Sequence, residues 1–305
     1  MIRYQRTIKE SVTARGVGLH SGKLVAMTLR PAAVDTGIRF IRTDLGNIEI
    51  KATAANTAAT GYATTLRKNG VTVQTVENLL GALAGLGITN AVVELDNDEV
   101  PIMDGSAGPF VRLIAEAGVH RQHKVQPVLK VTRPVFVRDN DKQLAIWPSE
   151  TQSVSFFIDF DHPLVREQSL SYIASEENFI REVADARTFG FLKDVKAMKA
   201  HGLARGGSLD NAVVLDAASV MNAGGLRYRD EFVRHKILDI IGDLSLAGMP
   251  VIGHVVAHKS GHGMNALMVQ KLLQSPLAWV HVGDTVPAAM RRREREAPVY
   301  QETTA

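Results

Sequence analysis

Two stretches of this 305-residue chain repeat one order of elements, and that repetition limits the fold more than any other feature. Apolar residues recur at helical spacing over 75–86, a strand-like run follows at 90–95, and a second helix covers 107–117. The order returns as a helix over 231–247, a strand over 251–258 and a helix over 263–273. Such a unit cannot bury its apolar faces alone, so its repetition predicts a duplication. The expected class is α+β: two similar two-layer α/β sandwich domains, helices packed at the domain interface, with a small insert in each domain.

The chain turns polar between His120 and Pro127, which sets the expected boundary. Residues 1–125 form one domain and 126–285 the other. Residues 192–226, with a small helix, Gly206-Gly207 and a strand over 212–215, read as an insert in the second. Residues 286–305 read as a charged C-terminal tail. The stretch 52–66 is small and polar, a loop or short strand with little core content. Gly16 to Gly22 is a tight turn or a ligand-facing loop. It lacks the spacing of a P-loop or a dinucleotide fingerprint, which favours the turn.

The segment from Arg234 to Leu244 carries the clearest chemistry. Ile237, Leu238, Ile240, Ile241 and Leu244 cover one broad side of a helix. His235, Asp239 and Asp243 fall at i, i+4 and i+8 and line one edge, flanked by Lys236. His235 and Asp239 stand roughly 6 Å apart along the axis, so an imidazole and a carboxylate can converge on one metal ion. His-x-x-x-Asp alone is common on amphipathic helices. A polar stripe on a helix that otherwise buries nearly everything needs a reason. In the 75–86 helix, Thr75 reads as the N-cap, Glu77 and Asn78 lie in the first turn, and Gly87 is the terminator. The polar start of that helix is expected to meet the polar edge of 231–247 at the interface, a favoured place for a site.

Composition narrows the chemistry. The chain has no cysteine, so it has neither disulfides nor a thiolate metal site. Any metal takes His and carboxylate ligands. A net charge of +3 is compatible with an anionic small ligand. The N-terminus lacks the apolar run of a signal peptide, and no stretch of about 18 apolar residues predicts a membrane span. The expected location is the cytoplasm.

Several segments together resemble one family. They are Thr75-Val76-Glu77-x-Leu79, Pro101-Ile102-Met103-Asp104-Gly105-Ser106, Ala186-Arg187-Thr188-Phe189-Gly190-Phe191, His235-Lys236-x-Leu238-Asp239-x-x-Gly242-Asp243-Leu244 and Lys259-Ser260-Gly261-His262. In this order they resemble UDP-3-O-acyl-N-acetylglucosamine deacetylase, the zinc amidase of lipid A synthesis in Gram-negative bacteria, from about residue 2 to 285. The resemblance implies one Zn2+ held by two histidines and an aspartate. Two of these ligands map onto His235 and Asp239, and the third onto Asn78, where the histidine is missing. It implies Glu77 as general base and His262 as the second catalytic residue, oriented by Asp243. It further implies Thr188 at the developing oxyanion and Lys236 beside the substrate. Phe189 and Phe191 line the sugar and acyl side, and the 192–226 insert forms the acyl passage.

Asn78 reads first as an ordinary first-turn helix residue. The alternatives are a weak amide ligand, which prefers harder ions, and a site completed by water. His20 and His258 are candidate substitutes for the missing ligand. His120, His123, His162, His201 and His281 read as surface or packing residues. By the same resemblance Tyr62 aligns with an aliphatic or Met position near the catalytic pocket, where its bulk would narrow access. The implied partner is a UDP-linked acylated amino sugar, with no nucleic acid, and the chain is expected to act as a monomer. A metal-deficient paralogue that binds this sugar, or a protein partner, without turnover is the competing expectation.

Overall fold

The computed structural model describes residues 3–58 and 61–283, and the expected tail at 286–305 lies outside the described residues. Two five-stranded sheets carry the chain. The first runs in the order Val12–Val17, Leu24–Pro31, Ala91–Leu95, Ile38–Arg42, Ile48–Lys51. Only its pair Ala91–Leu95 with Ile38–Arg42 is parallel. The second runs Val135–Asp139, Lys142–Trp147, His254–His258, Ser153–Ile158, Gln168–Ile173, with its one parallel pair between His254–His258 and Ser153–Ile158. Order and sense agree strand for strand, as the repeated pattern predicts. Period-two burial drives both sheets: Val25, Met27 and Leu29 point inward from one strand, Leu144 and Ile146 from its counterpart.

The helices are α1 (Glu77–Gly85), α2 (Gly108–Ala117), α3 (Glu176–Asn178), α4 (Leu192–Ala200), α5 (Glu231–Leu244) and α6 (His262–Leu273). In chain order α1 and α5 precede the central strand of their sheets, and α2 and α6 follow it. Each repeat also has an antiparallel pair outside the large sheet, Tyr4–Ile8 with Val119–Val125 and Val128–Val131 with Trp279–Val282. The buried apolar residues of both repeats form one continuous core.

The inner contact between the repeats is α1 on α5. A Cβ on Gly81 would stand 2.5 Å from Leu238 Cδ1, and one on Gly242 would stand 2.3 Å from the Glu77 carbonyl oxygen. Two missing side chains let the helices touch, and the contact sets the start of α1 against the polar edge of α5.

The structure corrects two local expectations. Thr75 is not an N-cap: α1 starts at Glu77 with no side-chain cap. The Thr75 hydroxyl instead donates to Glu99 Oε1 at 2.7 Å, because a buried carboxylate is the stronger acceptor. The stretch before residue 66 holds more core than its composition suggests. Leu66 is fully buried, and Leu66–Lys68 pairs with Val71–Val73. The C-terminus of α1 is as expected. Gly87 has φ +66, its N–H donates to the Ala84 carbonyl, and the Ile88 N–H donates to the Leu83 carbonyl.

Candidate active site

Three segments meet α5 at one buried point. From α1, Glu77 and Asn78 face it, 6 % and 4 % exposed. From the start of α6 comes His262, whose Nδ1–H donates to Asp243 Oδ2 at 2.8 Å. Its Nε2 lies 3.9 Å from Glu77 Oε1 and 4.0 Å from Asp239 Oδ2. From the turn before Phe189–Phe191 comes the Ala186 carbonyl, which accepts from His235 Nδ1 at 3.0 Å. His235 Nε2 then stands 3.3 Å from Asp239 Oδ1. Lys236 Nζ donates to Asp239 Oδ2 at 2.7 Å and lies 5.9 Å above the Phe189 ring. The structure therefore brings Glu77, Asn78, His235, Lys236, Asp239, Asp243 and His262 together.

Thr188 and the two phenylalanines lie beside this group. The Thr188 backbone is pinned on both sides: its N–H donates to the Gly105 carbonyl at 2.7 Å, and its carbonyl accepts from Val213 N–H at 2.8 Å. Phe189 and Phe191 are half-buried and, with Phe160, form an aromatic cluster with centroids 5.6–6.4 Å apart. Leu192, next to Phe191 in sequence, and Leu209 of the second insert are exposed. A cavity of about 470 Å³ opens onto His262 from the other side, lined in part by Thr57, Gly61, Lys142 and Leu267. Tyr62 is 62 % exposed.

Several site residues carry no sequence signal of their own. Thr64 donates through its hydroxyl to Asp243 Oδ1 at 2.6 Å and through its N–H to Glu77 Oε2 at 3.0 Å. Asn265 donates to Asp243 Oδ2 at 2.8 Å. Glu99 accepts from the N–H groups of His20 and Ser21, which fixes the Gly16–Gly22 turn. Backbone strain marks the same places. Among the described residues, eight non-glycine residues have positive φ, and four of them are Asp or Asn. The other four are Thr75, Met103, Ala204 and Lys259. They lead into Glu77, the Gly105 carbonyl, the contact of Ala204 N–H with His20 Nδ1, and His262. Such residues keep this conformation only where the surroundings impose it.

Burial and charge raise the pKa of both central groups. Burial raises the Glu77 carboxyl to about 7, opposed by His262 and assisted by Asp243 and Asp239. Burial opposes the charge on His262, but Asp243 and Asp239 outweigh it and raise the imidazolium to about 10. Burial also works against a charged Asp239, yet Lys236 and the His262 imidazolium hold its carboxyl below the ordinary range. Burial lowers His235 and leaves a neutral imidazole, the form that binds metals. Buried titratable groups shifted in this way within one cleft are candidates for acid–base chemistry.

The donor set can be tested for a metal. Two ligands at about 2.0–2.1 Å on a tetrahedral ion stand about 3.3–3.4 Å apart. His235 Nε2 and Asp239 Oδ1 are separated by 3.3 Å. Asp239 Oδ1 and Asn78 Oδ1 are both buried without a hydrogen-bond partner. The residues present thus fit a divalent cation. Among the described residues, no three His, Cys, Asp or Glu side chains form a cluster that could hold one. His258 does not fill the gap, whereas His20 lies close enough to His262 for the two imidazoles to feel one another's charge. His258 is exposed and bonds to the Asp141 carbonyl. His20 is buried over the second insert, its Nε2 unpartnered.

A sequence profile of UDP-3-O-acyl N-acetylglycosamine deacetylase (LpxC) matches residues 5–274. The chain belongs to this family. Its curated relatives carry the name UDP-3-O-acyl-N-acetylglucosamine deacetylase. The protein from Myxococcus xanthus is 51 % identical over 293 residues, covering 96 % of this chain and 91 % of its own. That from Pseudomonas entomophila is 52 % identical over 282 residues, covering 92 % and 93 %. That from Saccharophagus degradans is 51 % identical over 278 residues, covering 90 % and 92 %. The family match spans both sheets and every segment of the buried cluster. Among the described residues, no helix is long and apolar enough to cross a membrane.

Proposed function

We propose that this chain hydrolyses the N-acetyl amide of UDP-3-O-acyl-N-acetylglucosamine and releases acetate, a step of lipid A synthesis. The observation that carries the reading is the buried pair Glu77 and His262, with Oε1 and Nε2 3.9 Å apart, beside His235 and Asp239 at the spacing of two metal ligands. Amide hydrolysis needs an activated water, a stabilised oxyanion and a proton for the leaving amine. A divalent metal on His235 and Asp239, zinc by resemblance, supplies Lewis acidity and a water of lowered pKa when bound. Glu77 takes the proton from the attacking water. His262, held as an imidazolium by Asp243, stabilises charge and gives a proton to the amine. Thr64 and Asn265 keep Asp243 aimed at His262. Thr188 donates to the oxyanion, and Lys236 adds positive charge beside the sugar. Phe189 and Phe191 hold the sugar and the start of the acyl chain.

The domain limits 1–125 and 126–285 belong to the same reading, supported by the matching sheets. So does the 192–226 insert as the acyl passage, supported by its strand Val213–Leu215, which pairs with Phe189–Phe191. Glu77, His235, Asp239 and His262 converge from one chain, which supports a monomer. The substrate is UDP-linked, which supports the cytoplasm. Asn78 is the one observation favouring the competing reading, a metal-poor relative that binds the sugar without turning it over.

The experiment is acetate release from UDP-3-O-acyl-N-acetylglucosamine by protein loaded with one divalent metal at a time. Release that disappears in Glu77→Gln is expected. No release from the wild-type chain or from Asn78→His with any metal would overturn the reading.

A further inference from the structure

Asn78 stands where the resemblance puts a nitrogen ligand, and the structure gives its amide one orientation. Nδ2 donates to the Gly105 carbonyl at 3.3 Å. A carbonyl only accepts, so the NH2 end must face Gly105 and Oδ1 must point away from it. That oxygen is buried and has no partner, a condition that costs free energy unless something is bound there. Asp239 Oδ1, from the facing helix, is in the same condition.

His235 is held in a parallel way. Its Nδ1 donates to the Ala186 carbonyl and leaves Nε2 turned toward Asp239. A metal-binding histidine typically donates its second ring N–H to a carbonyl or carboxylate, which fixes the ring. Asn78 does the same with its NH2 group and presents oxygen in place of nitrogen. The Gly105 carbonyl is itself fixed. It also accepts from Thr188 N–H, and Gly105, at φ +85, sits where a Cβ would stand 2.2 Å from the Asn211 carbonyl oxygen. Lys236 occupies Asp239 Oδ2, so this carboxylate offers one free oxygen.

We propose that Asn78 Oδ1 is the third metal ligand of this chain. The resulting set of one nitrogen and two oxygens shifts its preference from zinc toward a harder divalent cation such as manganese. The proposal rests on the reading of His235 and Asp239 as metal ligands. Its physical basis is that imidazole suits zinc, whereas amide and carboxylate oxygens suit manganese and magnesium. A chain with this donor set keeps the scaffold of its relatives and draws on a different metal pool.

The test titrates metal-free protein with Mn2+, following the loss of free Mn2+ by electron paramagnetic resonance, and then competes Zn2+ against it. One Mn2+ per chain is expected. Asn78→His should raise the ratio of zinc to manganese affinity about tenfold or more. Asn78→Asp, isosteric and charged at the same oxygen, should tighten Mn2+ about tenfold or more. An unchanged ratio in the first variant, or unchanged Mn2+ affinity in the second, overturns the proposal. If neither ion binds the wild-type chain or Asn78→His, the metal-centre reading falls and the ligand assignment with it. If Mn2+ binds as expected but no acetate is released, the deacetylase reading fails while the ligand assignment is supported.

Discussion

In the first repeat, α1 brings Glu77 and Asn78 to the centre, and α2 brings nothing. In the second, α5 brings His235, Lys236, Asp239 and Asp243, and α6 brings His262. The sheets beneath are the same, so sheet topology does not explain the imbalance. The connections do. Residues 96–107 separate the central strand from α2 in the first repeat, whereas only 259–261 separate it from α6 in the second. The short link puts the first residue of α6 into the cleft. The long link carries the Gly105 carbonyl to Asn78 instead. The inserts differ in the same spirit. The first, ahead of α1, holds Thr64, which bonds Glu77 and Asp243, and the hairpin of Leu66–Lys68 with Val71–Val73, whereas the second holds α4 and the strand Val213–Leu215 that pairs with Phe189–Phe191. Duplication supplied two equal surfaces, and loop length decided which of them reaches the chemistry.

The comparison breaks most visibly at Glu77, the carboxyl group that α1 brings to the cluster. Glu77→Gln should lower kcat/KM by about 10²–10⁴-fold, the range for a general base. Its thermal unfolding temperature should hold or rise, because burial already disfavours the charge. A variant that keeps full activity would move the base to the second repeat.

A clasp in the second repeat comes next in size. Glu231, fully buried at the start of α5, accepts from Arg187 Nε and from the N–H groups of Arg187 and Arg227. This holds the turn whose Ala186 carbonyl orients His235. Glu231→Gln leaves Arg187 buried without its counter-charge and should cost about 3–5 kcal/mol in urea unfolding. Burial works against the Glu231 charge, but Arg187 holds its carboxyl below the ordinary value. Its contribution is therefore full above the ordinary glutamate range and is lost as pH falls through the depressed folded value. The gap between wild type and variant should narrow in acid below about pH 4. A gap that widens there would contradict the assignment.

The contact between the repeats is tested by Gly242→Ala. The added methyl meets the Glu77 carbonyl, so a loss of about 1–3 kcal/mol is expected, as for an overpacked core. Activity should fall with it, because the helix carrying Glu77 must shift. Gly190→Ala, where a Cβ meets nothing within 4 Å, is the control and should leave stability unchanged.

Asn78→His gives the smallest expected change and the sharpest view of the asymmetry. Zinc content and zinc-dependent acetate release should both rise about tenfold, or about 1.4 kcal/mol each. Zinc uptake without a gain in rate would place the defect elsewhere in the first repeat, with exposed Tyr62 the first position to vary.

Local periodicity determined much of this protein. The repeated helix–strand–helix order, the polar edge at His235, Asp239 and Asp243 and the Gly87 stop are all one-dimensional patterns, and each stands in the structure as read. The ordered motifs located Glu77, Thr188 and His262 by resemblance. What only the tertiary structure decided is how distant groups satisfy one another. Thr64 looked like part of a featureless polar loop, yet it bonds both Glu77 and Asp243. Thr75 looked like a cap and turned to Glu99 instead. Asn78 looked like an ordinary first-turn residue until the Gly105 carbonyl fixed which end of its amide faces the cleft. A hydrogen bond between residues far apart in sequence leaves no period to read, because its partner is chosen by the packing of the two repeats.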